Sequence, residues 1–125
     1  MAGPISVILC EFATIHSDST FAIVRGGIEH WTSALPLTIG LSVFVQVERA
    51  GLAVGKHDIS MDVITPNGLT VGQVAAQLEV TNQEFPIRFV LPLQASIQSY
   101  GIAVVRIHIG NLESIETQLN VKAVN

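Results

Sequence analysis

Four histidines, one cysteine and ten carboxylates are the side chains of this sequence best suited to moving a proton, attacking a substrate or holding a metal. Of these, His57, Asp58 and Asp62 come nearest to a metal-ligand set. In a strand, however, Asp58, Ser60 and Asp62 share one face while His57 points to the other. That spacing predicts a wetted strand face rather than a ligand shell. His16, Ser17 and Asp18 supply the residue types of a hydrolytic triad, but three chain neighbours cannot form the relay, whose members come from separate elements. A polar turn is the expectation there. The sequence holds no Gly-x-Ser-x-Gly, no His-Glu-x-x-His and no phosphate-cradling glycine loop leading into a helix. These residues point to no catalytic centre, and the expectation is a protein that is not an enzyme and carries no cofactor.

Two other groups have a binding reading. His30 and Trp31 set the only tryptophan beside a histidine and next to a loop, where the pair could stack on a sugar or anchor a partner. Against this, a lone tryptophan commonly plugs the end of a hydrophobic core. In the 5–12 strand Ile5, Val7 and Leu9 are expected on one face and Ile8, Cys10 and Phe12 on the other. Cys10 has no cation near it in sequence to activate it and reads as a buried, unreactive thiol. His108 shares a row with Ile102, Val104 and Arg106 and is expected where that row meets solvent.

The elements that must position these residues are strands. At Ser114–Ala123, Ile115, Thr117, Leu119, Val121 and Ala123 alternate with polar residues, giving one dry face and one wet face. Ile102–Ile109 is apolar on both faces for most of its length, and the Gly110–Glu113 stretch between them has hairpin chemistry. Further strands are expected at 5–12, 20–25, 28–31, 37–48, 57–65 and 85–93. Pro66-Asn67-Gly68 marks a turn. Residues 69–81 fit helical and strand spacing equally well, and Gly72 with no helix cap favours the strand. Pro86 and Pro92 place 85–93 at a sheet edge, and 94–99 reads as a loop. Seven to nine strands with closely spaced turns indicate a single all-β domain over residues 1–125. The expected fold is an antiparallel β-sandwich of immunoglobulin-like type, with a closed barrel as the alternative.

Composition narrows the partners. Of 125 residues, 49% are apolar and 13% charged, and the net charge is −4. Six basic residues stand singly along the chain, so neither nucleic acid nor an anionic membrane surface is an expected partner. Ile5–Cys10 lacks the basic flank and cleavage site of a signal peptide and reads as a strand. One cysteine forms no internal disulfide, and the cytoplasm is the expected compartment.

Three stretches carry a family likeness. They are Ile8–Thr14 running on to Ala22–Ile28, Gly55–Gly68 with its Gly-Lys-His-Asp-Ile-Ser-Met-Asp-Val-Ile-Thr-Pro-Asn-Gly run, and Tyr100–Val121. In order and spacing they resemble a small uncharacterised bacterial family of β-sandwich domains of unknown function. The resemblance spans nearly the whole chain and implies the sandwich, but assigns no residue a role. Ser17-Asp18-Ser19 stands where members carry a glycine-lysine turn.

The remaining signal is surplus apolar surface. With the rows of Val43, Val105 and Leu119 in the core, Ile8, Phe44, Ile64, Val90, Ile102 and Val104 fall on the outer faces. Contiguous apolar patches of that kind are uncommon on monomers. Phe44, Val90, Ile102 and Val104 are therefore the expected interface, with a second copy or another protein as the partner, and the expected function is an interaction or scaffold domain.

Overall fold

The computed structural model describes residues 5–17, 20–47, 53–81, 86–110 and 114–123. Among these residues nine strands are seen: β1 (Ile5–Ile15), β2 (Phe21–Gly26), β3 (His30–Thr32), β4 (Leu37–Val47), β5 (Gly55–Ile64), β6 (Thr70–Val80), β7 (Ile87–Ile97), β8 (Gly101–Ile109) and β9 (Ile115–Lys122). They form two sheets, one in the order β2-β1-β4-β7 and the other β3-β9-β8-β5-β6. This is a β-sandwich and not a closed barrel. No helix among the described residues is long and apolar enough to cross a membrane.

Alternation dictates the layers. In β4, Ile39, Leu41, Val43, Val45 and Val47 turn inward, and in β8 Ala103, Val105, Ile107 and Ile109 do the same. Together with Leu9, Met61, Leu93, Leu119 and their neighbours they form one core between the sheets. Burying such side chains contributes about 1.5–3 kcal/mol each before entropy is counted. Along one side the sheets nearly touch. A Cβ on Gly72 of β6 would sit 2.6 Å from the Gln94 carbonyl oxygen of β7, so glycine is what lets these two edge strands cross so closely.

The ambiguous 69–81 stretch is a strand, as the glycine suggested, with a register shift opposite Val63 and Ile64. The edge position expected from Pro92 is found, since β7 closes its sheet. Three expectations are corrected. Residues 94–97 are not a loop: β7 continues through them, because Ala95 and Ile97 pair with Ile39 and Leu37 and extend the buried row. The sheets are not antiparallel throughout, since β3 runs parallel to β9. Phe12 does not share a row with Cys10. Cys10 and Ala13 face the same way, so the alternation slips by one between them. The slip lies opposite Arg25, whose left-handed φ of 53° breaks the extended backbone of β2.

Candidate functional site

The two outer faces of the sandwich are built differently. On the first sheet, β1 runs beside β4 only from Ile5 to Cys10, pairing Ile8 with Phe44 and Cys10 with Ser42. Beyond Cys10 it pairs with β2 alone, and this β1–β2 hairpin lies back over the outside of the sheet. Ala13, Ile15 and Ile23 of the hairpin pack on Cys10, Phe44, Ile8 and Val90 as a second, smaller apolar cluster. The Phe21 ring stacks at 4.7 Å from the Phe44 ring, tilted by 39°. The Arg88 guanidinium lies 5.0 Å from the Phe21 centroid, and its Nε donates to Gln46 Oε1 at 2.8 Å. Phe44 is thereby only 2% exposed. The expectation that Phe44 and Val90 lie on an open face is corrected. The chain's own hairpin covers the first completely, and the second is half-buried in the same cluster.

Cys10 belongs to this cluster. It is fully buried, and its Sγ donates to the Ser42 carbonyl oxygen at 3.3 Å. Burial raises the thiol above its ordinary pKa, against a smaller lowering effect from a backbone hydrogen bond with Phe44. A protonated thiol that donates to a carbonyl is a poor nucleophile, in line with the unreactive reading.

The outer face of the second sheet is open. Register places Ile102, Val104, Arg106 and His108 of β8 side by side with Asn120, Gln118 and Glu116 of β9 and with Ile64, Asp62 and Ser60 of β5. Polar cross-strand pairs fill one half of it: Asp58 accepts from Gln77, Asp62 from Gln73, and Arg106 meets Glu116, each at 3.4 Å. Exposed pairs of this kind contribute little to stability. The other half is apolar. Ile102 is 48% exposed, and Val104 and Ile64 are half-buried beside it. Tyr100 Oη donates to the Ser33 carbonyl oxygen at 3.3 Å, tying the start of β8 to the end of β3. Gly101, at φ 126°, carries the chain into this row with Pro66 packed against it. Next to Ile102 lies a shallow depression of about 520 Å³, walled by Glu29, His30, Glu116, Gln118 and Asn120.

The other sequence candidates separate. His30 reaches this depression, but Trp31 points the opposite way and packs against the main core beside Val121, with which it pairs. Neighbouring positions on a strand face opposite sides, so His30 and Trp31 do not form one site. Trp31 has the plug position instead. His57 turns away from Asp58 and Asp62, as its strand parity required, and its Nε2 lies 2.7 Å from the Ala53 carbonyl oxygen. His16 is exposed at the end of β1 and its N–H donates to the Thr20 carbonyl, while Asp18 lies outside the described residues. His108 is exposed, where the row meets solvent. Among the described residues no three His, Cys, Asp or Glu side chains converge as a metal site.

Two features were not anticipated. Tyr100, just before β8, is 44% exposed. Phe12 (55% exposed) and Val24 (50%) form an apolar pair on the outward side of the β1–β2 hairpin, which the slip at Glu11 hid from a reading by alternation. No protein-family model matches the chain, and no curated protein sequence matches it.

Proposed function

We propose that the protein is a non-catalytic interaction or scaffold module that self-associates and presents the open face of its second sheet to a protein partner. The observation that carries this is the contrast on that face. Ile102, Val104 and Ile64 make an apolar end on a surface otherwise laced with polar pairs. Apolar centres rimmed by polar groups are the usual anatomy of recognition surfaces. Sedimentation velocity of the intact protein from low to high micromolar concentration tests the self-association. A species heavier than one chain is expected at the upper end, and a single monomeric boundary throughout contradicts the reading.

A second reading has one observation behind it. The depression beside Ile102 combines a histidine, two carboxylates and two amides, a set suited to hydrogen-bonding a small polar ligand such as a sugar. Trp31 takes no part in it. A thermal-shift screen against sugars distinguishes the two, since an interaction face gives no saturable shift.

A further inference from the structure

A sandwich has four strand edges, and a strand edge is a row of unpaired N–H and C=O groups that another strand can join. Here three of the four are blunted. β6 and β7 approach each other closely enough to need Gly72, and β7 also carries Pro92, which offers no donor. β3 is three residues long. The fourth, β2, is bordered by β1 alone. It reads Phe-Ala-Ile-Val-Arg-Gly, with no proline or lysine and one charge, and that charge is engaged: Arg25 Nη1 lies 2.7 Å from Glu11 Oε1.

The hairpin's own hydrogen bonds say which backbone groups of β2 are unused. His16 N–H donates to the Thr20 carbonyl at 2.7 Å. Antiparallel ladders alternate bonded and non-bonded pairs, so from that bond Ala22 bonds to Thr14, whereas Phe21 and Ile23 turn their N–H and C=O groups outward. Among the described residues these outward groups have no backbone partner. We infer that β2 pairs antiparallel with β2 of a second copy across a two-fold axis at Ala22, joining two four-stranded sheets into one of eight. Three observations fix the occupant and the register. Phe21 and Ile23 sit symmetrically about Ala22, so each donor on one copy meets an acceptor on the other. The two Ala22 side chains, small and exposed, meet at the axis without a clash. A register centred on Ile23 would bring Arg25 into the ladder, and its φ of 53° bends the backbone out of the extended conformation a ladder needs. In the Ala22 register Thr20 faces Val24, and no charged residue between Thr20 and Val24 opposes its own copy. So short a seam makes a reversible dimer rather than a permanent one.

The inference rests on the self-association proposed above and names its seam. Its test is sedimentation velocity of A22K and A22E, alone and mixed. Ala22 is exposed, so neither change disturbs the fold, which circular dichroism checks. Each variant alone places like charges face to face at the axis and is expected to dimerise at least about tenfold more weakly than the wild type. The equimolar mixture is expected to recover a dimer. A22C supplies a second readout. Facing non-bonded pairs hold their Cα atoms about 4.5 Å apart, within disulfide reach, so mild oxidation is expected to give a covalent dimer that the parent, with Cys10 buried, does not form. A wild-type dimer that A22K and A22E leave unweakened overturns the seam but not the self-association. A wild type that stays monomeric overturns both.

Discussion

Both sheets of this sandwich carry apolar side chains on their outer sides, and they deal with them in opposite ways. The first folds its own β1–β2 hairpin over Phe44, Ile8 and Val90. The second leaves Tyr100, Ile102 and Val104 beside solvent. Sequence rows that look equivalent thus have different fates, and the difference is made by a strand that leaves its sheet. β1 parts from β4 after Cys10, and the slip opposite Arg25 turns its next residues inward onto Phe44. A covered row contributes to folding; an open row is available for recognition. The same hairpin that closes one face creates the edge, β2, by which a second copy can attach.

The sharpest way to break the contrast is to truncate one residue from each face. Phe44→Ala is expected to cost about 3–5 kcal/mol in urea unfolding, because it empties the cluster under the hairpin. Ile102→Ala, at a position 48% exposed, is expected to change stability by no more than about 1 kcal/mol. Equal losses at the two positions would mean that the faces are not distinct.

A smaller effect is expected from pH. In the folded protein the Cys10 thiol holds its proton more tightly than in the unfolded chain, because burial disfavours the thiolate. Its contribution to stability is therefore complete below the unfolded thiol's pKa of about 8.5 and declines as pH rises through and above that value. Denaturation midpoints measured from neutral to alkaline pH should fall more steeply for the wild type than for Cys10→Ala. Parallel curves would place the thiol outside the sealed cluster.

Much of this architecture was readable from alternation alone. β5 and β9 each have one face in the core and one toward solvent, so period two reports their orientation directly. The same rule separates His57 from Asp58 and Asp62. It failed where its premise of an unbroken pleat failed. Phe12 was assigned to the row of Cys10 because nothing in the residue types announces a left-handed arginine on the neighbouring strand. Residues 94–97 read as loop because Gln-Ala-Ser-Ile has weak strand character, and only pairing with Ile39 and Leu37 makes it a strand. Which outer rows are covered could not be read either, since that depends on a long-range placement of the hairpin. The candidate face was half legible: Ile102 and Val104 lie on an open side as expected, Phe44 and Val90 lie under the hairpin instead, and the opposition of His30 to Trp31 follows from the bounds of a three-residue strand.

The central claim is that this sandwich seals one outer face by itself and leaves an edge and an opposite face for other molecules. Amide hydrogen exchange at low and at high protein concentration tests it most directly. The account predicts that Phe21 and Ile23 amides exchange more slowly as concentration rises, while amides of β4 and β8, already bonded within their sheets, are unchanged. Exchange at β2 that is independent of concentration, with the protein monomeric throughout, would contradict it.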